Sequence, residues 1–156
     1  MRQDGFTLLE LILVIMLIGI LAVTATSTFD AEGYDLYAAR QELVDALRYA
    51  QEKSLANTST DNTQYYRVTL AAAGYTVELN DGTNVRDPFT GAPSFTQSWG
   101  PGTTVTAPAA GSFVSFNGRG EPVCNPDCTG ANFTVTLTNN GVNETVTVER
   151  LTGFSR

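Results

Sequence analysis

The chain begins with a long apolar stretch that contains one carboxylate. Residues 6–23 are almost wholly apolar, and the acid among them is Glu10. As an α-helix rising about 1.5 Å per residue, these positions would span roughly 27 Å, close to the hydrocarbon thickness of a bilayer. The pattern therefore predicts a transmembrane or fibre-core helix over residues 6–29. A charge at membrane depth costs about 2.5–3.5 kcal/mol, so Glu10 requires a specific reason.

An amphipathic helical pattern follows over residues 30–57. Apolar or small residues recur at helical spacing, and charged residues occupy the other face. The first set is Leu36, Leu43, Leu47, Ala50 and Ser54, and the second is Glu42, Asp45, Arg48, Glu52 and Lys53. With a kink or local melting expected over residues 29–33, both segments together would form a rod of roughly 75–80 Å. A coiled coil is the alternative, but the stripe contains too few clean heptads to favour it.

A polar run at residues 57–62 ends the helical pattern, and from Gln64 the periodicity changes to two, which is typical of β-strands. The predicted strands cover residues 65–70, 75–79, 103–106, 112–117, 133–138 and 145–150. Asn139-Asn140-Gly141 is a strong hairpin signal between the last two, and residues 80–102 are expected to form a long loop. The fold class is therefore α+β: a long N-terminal helix, one half transmembrane and one half amphipathic, packed on an antiparallel β-rich head over residues 58–156.

Composition narrows the possible functions. The chain has 156 residues, a net charge of −7 and no histidine. A negative molecule repels phosphate backbones, so nucleic acid is an unlikely partner. Without histidine, the usual general base and the commonest metal ligand are missing. We therefore expect a protein that is not an enzyme and uses neither a metal nor another cofactor.

The two cysteines, Cys124 and Cys128, lie close together in a segment rich in turn residues. A segment beyond a membrane helix can lie in an oxidising compartment, so a local disulfide is the simplest interpretation. A zinc site is disfavoured because two thiols lack further ligands, and a redox motif normally has two residues between its cysteines.

The amino terminus resembles the type IV pilin superfamily, which includes the pseudopilins of type II secretion. The resemblance is carried by a short polar leader ending in Gly5, followed by Phe-Thr-Leu-Leu-Glu at residues 6–10. It implies that prepilin peptidase removes residues 1–5 by cleavage between Gly5 and Phe6, and that Phe6 is then N-methylated. An ordinary secretory signal peptide is the alternative, but the apolar run exceeds a typical signal-peptide core.

The same resemblance gives Glu10 a role in assembly. Cleavage would free the Phe6 amine, and that cation could pair with the carboxylate of an adjacent subunit. In a low dielectric the two opposite charges attract strongly and compensate each other's desolvation. The alternative is a glutamate near the helix start that extends toward the membrane interface.

Two further segments resemble the H-type pseudopilin of type II secretion and related minor type IV pilins. They are the helix at residues 42–56 and the ending formed by residues 115–120 and 148–153. The resemblance implies a minor pilin or pseudopilin, held in the inner membrane by one span with its amino terminus cytoplasmic and its head periplasmic. Its partners would be other pilin or pseudopilin subunits, prepilin peptidase and the inner-membrane assembly platform. The choice between a pilus and a secretion system stays open.

A different function is a DNA- or surface-binding tip minor pilin of a competence or adhesion pilus. Some relatives of the H-type minor pilins bind DNA through arginines near the carboxyl terminus, and Arg119, Arg150 and Arg156 form a sparse version of such a patch. Exposed arginines flanking a strand are the simpler interpretation.

The predicted loop also contains oxygen ligands of the kind that calcium prefers. These are Asn80, Asp81, Asn84 and Asp87. Their spacing matches no EF-hand, and the same residue types occur in ordinary turns. A solvated loop is therefore the expected structure.

Overall fold

The computed structural model describes residues 7–27 and 31–156, with side chains described at 7–22 and 34–156. The chain divides into two compact units, Met1–Ala31 and Glu32–Arg156. Each unit is described by itself below. The leader residues and the Gly5–Phe6 bond lie outside the described residues.

The first unit contains helix α1, Leu8–Ser27. Its side chains are described over 15 residues, as far as Ala22. Within the described part of the chain, no helix combines the length and apolarity that crossing a membrane requires. The single long helix expected from the sequence is not confirmed, because the described residues form two separate helices, Leu8–Ser27 and Ala31–Ala56. Of the kink expected over residues 29–33, residues 29 and 30 lie outside the described residues, whereas residues 31–33 are helical and begin the next helix.

Helix α2, Ala31–Ala56, belongs to the second unit from its second residue onward. The predicted stripe on this helix is confirmed, since all five of its residues are buried. Ala39, Val44 and Ala46 are buried as well, so the packed face is wider than the sequence pattern indicates. The five charged residues assigned to the opposite face are exposed. One helix thus presents a broad apolar face to the head and an acidic face to solvent.

The rest of the second unit consists of short antiparallel strands, with a 3₁₀ turn at Asn62–Gln64 before the first. The strands of the described chain are β1 (Tyr66–Ala71), β2 (Gly74–Leu79), β3 (Phe95–Ser98), β4 (Thr104–Ala107), β5 (Phe113–Phe116), β6 (Pro122–Asn125), β7 (Phe133–Asn139) and β8 (Val142–Val148). A five-stranded sheet has the order β3-β2-β1-β5-β6, and a three-stranded sheet has the order β4-β7-β8. The α+β class with an antiparallel head is therefore confirmed.

Both predicted hairpins form. Strand β1 pairs with β2 over its whole length, with Tyr66 opposite Leu79 at one end and Ala71 opposite Gly74 at the other. Strand β7 pairs with β8, and the predicted turn joins them. Asn140 and Gly141 have φ of 47° and 83°, the two positive values that a type I′ turn requires. Strands β3 and β6 were not predicted. The first lies inside the expected long loop, and the second enters the cysteine segment.

A single apolar core joins α2 to both sheets. The larger sheet contributes Val68, Val77 and Phe95, and the smaller sheet contributes Leu137 and Val146, all almost fully buried. The inward side chains on β7 alternate with outward threonines, which is the pattern of a sheet with one face on the core and one exposed to solvent. The helix is therefore the element around which both sheets are arranged.

Candidate processing and assembly sites

The first turn of α1 places Glu10 beside Thr7. The hydroxyl oxygen of Thr7 accepts the backbone N–H of Glu10 at 3.2 Å, and the Thr7 carbonyl accepts the N–H of Leu11 at 3.2 Å. Thr7 is therefore the N-cap of the helix. Sequence reasoning missed this role, although Thr-x-x-Glu is the spacing of a capping box. A carboxylate in the first turn is also favoured by the partial positive charge of a helix amino terminus.

The apolar side chains of α1 are exposed on every side of the helix. Each large apolar residue from Leu8 to Leu21 is between 43% and 77% exposed. Such a helix is stable in water only when something else covers it, because soluble proteins rarely expose a contiguous apolar surface of this size. Helix α1 thus has an exposed apolar surface that another apolar environment would have to cover, and the exposed Glu10 lies near its start.

The disulfide predicted from the sequence is present. Cys124 and Cys128 are bonded, with their Cα atoms 5.4 Å apart. Cys124 lies on β6 opposite Val114, while Cys128 is 5% exposed and belongs to the core. The bond therefore fixes the chain where it leaves the edge strand of the larger sheet.

The three arginines considered for DNA contact each have their own partner. Arg119 pairs with Glu121 at 2.9 Å, and Arg156 pairs with Glu149 at 3.6 Å. Arg150 donates from Nη1 to the main-chain oxygen of Thr129 at 3.1 Å. Two of the three charges are thus opposed by adjacent carboxylates, which weakens attraction for a polyanion.

The oxygen-rich loop after β2 uses its carboxylates to form turns. Asp81 accepts the N–H of Thr83 at 2.7 Å. Asp87 accepts the hydroxyl of Thr90 at 2.7 Å, the N–H of Phe89 at 2.8 Å and the amide of Gln97 at 3.2 Å. The Thr90 hydroxyl, the two backbone N–H groups of the turn and Gln97 hold the pKa of Asp87 below its usual value. Among the residues that the structure describes, no group of three or more Asp, Glu, Cys or His is placed to hold a metal ion.

Polar residues of α2 bind the head through its carbonyl groups. The guanidinium of Arg40 donates to Thr145 at 3.0 Å, and that of Arg48 donates to Ser155 at 3.2 Å. The amide of Gln51 donates to Gly120 at 2.9 Å and to Thr152 at 2.7 Å. Sequence reasoning missed these contacts, since main-chain acceptors leave no signature in the residue types.

A groove lies between α2 and β3 on the other side of the helix. We call it the acidic groove; it is lined by Glu42, Asp45, Ala46, Tyr75, Phe89, Phe95 and Gln97. Two carboxylates stand over an aromatic surface, and no basic residue lines the groove.

These features define a class: an α+β subunit whose capped amino-terminal helix exposes a largely apolar surface and whose β-rich head contains a disulfide. Residues 1–26 match the family model described as the prokaryotic N-terminal methylation motif, which marks the chain as a type IV pilin-like prepilin. The motif implies, in general terms, processing by prepilin peptidase and assembly with other pilin subunits. No curated protein and no solved structure shows a significant match to the chain.

Proposed function

We propose that this protein is a minor pilin or pseudopilin subunit that is cleaved by prepilin peptidase and assembles into a type IV pilus or a type II secretion pseudopilus. The observation that carries the proposal is the methylation motif over residues 1–26, which leads directly into the exposed apolar surface of α1. The work of the protein is assembly, and it catalyses no reaction.

In this proposal the covering of α1 changes during the life of the subunit. Before assembly, the inner membrane covers residues 6–29, with the amino terminus cytoplasmic and the head periplasmic. During assembly, the inner-membrane platform transfers the helix into the fibre, where apolar helices of neighbouring subunits replace the lipid. Both environments are apolar, so the transfer exposes little apolar surface to water.

Glu10 guides docking between subunits. Once Gly5 has been removed with the leader, the N-methylated Phe6 amine remains a cation. A carboxylate and an amine that meet in an apolar fibre core compensate each other's desolvation, and this sets the axial stagger of neighbouring subunits. A carboxylate that lacks this partner would remain buried and unpaired, which is strongly unfavourable.

The processing step is tested by amino-terminal sequencing and mass measurement of the mature protein. Co-expression with a prepilin peptidase is expected to give a chain that begins at Phe6 with one added methyl group. A catalytically inactive peptidase is the control and should leave the leader in place. A mature chain that begins after residues 22–27 would instead indicate an ordinary signal peptide and overturn the proposal.

The docking step is tested by incorporation of a Glu10→Ala variant into fibres. We expect normal membrane levels of this variant and strongly reduced recovery in sheared fibres. Glu52→Ala removes an exposed carboxylate from α2 and is the matched control. Normal incorporation of Glu10→Ala would contradict the docking role.

A DNA- or surface-binding tip subunit would have the same architecture and differ only in what its head binds. The ion pairs at Arg119 and Arg156 support the ranking of assembly above DNA binding. Salt-sensitive retardation of DNA by the protein, lost in an Arg150→Ala, Arg156→Ala variant, would reverse that ranking.

A further inference from the structure

The acidic groove has an aromatic surface whose rings contact one another. The ring of Phe95 lies 6.3 Å from that of Tyr75 and 6.0 Å from that of Phe89. Phe89 is 77% exposed, although its turn is fixed by the hydrogen bonds to Asp87. Because the backbone of this turn is already hydrogen-bonded, a contact at Phe89 does not also have to order the turn.

The rim of the groove carries negative charge that the head leaves unbalanced. Glu42 and Asp45 are in none of the ion pairs that the described residues form. Burial raises the pKa of the Glu42 carboxyl, because its charged form has lost part of its hydration. A cation entering the groove would gain from both carboxylates and from the aromatic faces. The complement of the groove is therefore a basic side chain next to an apolar one.

This chain carries such a pair on its own surface. Four of its arginines have carboxylate partners in the head, namely Arg40, Arg67, Arg119 and Arg156. Arg48, Arg86 and Arg150 instead contact main-chain oxygens. Of these three, Arg150 is the one followed by a large exposed apolar residue, Leu151, which is 68% exposed. Both belong to the turn that follows β8, which we call the carboxyl-terminal turn (Glu149–Phe154). The guanidinium of Arg150 and the apolar side chain of Leu151 are thus neighbours on an exposed turn.

The groove and the turn lie on different sides of α2. Glu42 lines the groove, whereas Gln51 contacts the turn through the carbonyl of Thr152. Gln51 lies nine positions after Glu42 on the helix, which is about 2.5 helical turns, so the two side chains leave the helix in opposite directions. Two complementary patches on different faces make a heterologous contact, which joins copies head to tail.

We propose that the acidic groove of one copy of this chain receives Arg150 and Leu151 from the carboxyl-terminal turn of a second copy. The inference deepens the proposed function and rests on it, since a head-to-tail contact of this kind adds lateral cohesion to a fibre. It also predicts that each copy binds at most two others through this contact, one at its groove and one at its carboxyl-terminal turn.

Self-association of the full chain in detergent micelles tests the proposal, measured by energy transfer between two labelled populations. Asp45→Arg and Arg150→Glu are each expected to weaken association about tenfold, as for an interfacial charge pair. The combined variant, which exchanges the two charges, is expected to recover most of the loss. Mixing the two single variants should also restore energy transfer, since one retains an intact turn and the other an intact groove.

Matched controls are Glu52→Arg and Lys53→Glu, which change exposed charges of α2 outside the groove by the same amounts. They are expected to leave association unchanged. Single variants that associate like the unmodified chain, or a combined variant that recovers nothing, would overturn the proposal. Processing at Gly5 and incorporation through Glu10 do not enter this measurement, so failure here would leave the proposed function standing.

Discussion

The hydroxyl oxygen of Ser54 accepts the backbone N–H of Tyr66 at 3.0 Å. Ser54 is fully buried in the last two turns of α2, and Tyr66 is the first residue of β1. The bond therefore joins the end of the helix to the beginning of the larger sheet, across the polar segment between them. The sequence pattern places Ser54 in the buried stripe as a small residue, and the structure shows that its hydroxyl group is also a hydrogen-bond acceptor.

Replacing Ser54 by alanine is expected to lower the free energy of unfolding by about 1–3 kcal/mol, because the partly buried N–H of Tyr66 loses its acceptor. Chemical denaturation of the full chain in detergent measures the change. Ser98→Ala removes an exposed hydroxyl at the end of β3 and should change stability by less than about 0.5 kcal/mol. Equal effects of the two substitutions would show that the Ser54 bond adds nothing.

Leu43 is fully buried at the centre of the α2 face. Leu43→Ala is expected to lower the free energy of unfolding by about 2–5 kcal/mol, since it removes buried methyl groups and leaves a cavity in the core. Leu55→Ala on the same helix is the comparison, because Leu55 is 52% exposed and should lose far less. Thermal unfolding followed by circular dichroism distinguishes the two. A small loss at Leu43 would mean that the core collapses around the gap.

Removing the disulfide is expected to lower stability by about 2 kcal/mol in the loop-entropy model. A Cys124→Ser, Cys128→Ser variant supplies the measurement, compared with the unmodified chain with and without reductant. Reductant should destabilise the unmodified chain and leave the variant unchanged. Two thiols that react freely with an alkylating agent in unreduced exported protein would contradict the bond itself.

Asp87 is expected to make the head sensitive to acid. Its pKa is lowered in the folded state, first by the hydroxyl of Thr90 and then by backbone N–H groups of the turn. A lowered pKa stabilises the fold above the ordinary value of an aspartate, and this contribution is lost as the pH falls through the folded-state pKa. Asp87→Asn should therefore be less stable near pH 7, with a smaller difference near about pH 3. Thermal midpoints at both pH values check this, and Glu52→Gln is the control.

Much of the second unit was predictable from periodicity. The stripe from Leu36 to Ser54 appeared because a helix turns every 3.6 residues, and the Asn140-Gly141 turn because few residue types adopt positive φ. Strand β3 was missed because it has four residues and lies between turn residues. It forms through pairing with β2, which is a tertiary effect that no local pattern reveals.

The residues of the candidate sites also fall into two groups, those that the sequence could identify and those that only the fold reveals. Glu10, Cys124 and Cys128 were identifiable because their chemistry is unusual for their surroundings. The acidic groove was not, since Glu42 and Asp45 belong to a helix while Phe89 lies on a distant turn. Only folding brings them together. The roles of Gly5 and Phe6 remain predictions, because both lie outside the described residues.

The attachment of α2 has a mechanical consequence. Arg40, Arg48 and Gln51 bind the head at points spread along the helix, and Ser54 adds another near its end. A pull along the helix axis would load these bonds and the packed face together in shear. Bonds loaded in parallel share the force, whereas bonds opened one after another fail singly. In a fibre under tension, the head should therefore resist being peeled from its helix until all of these attachments yield at once.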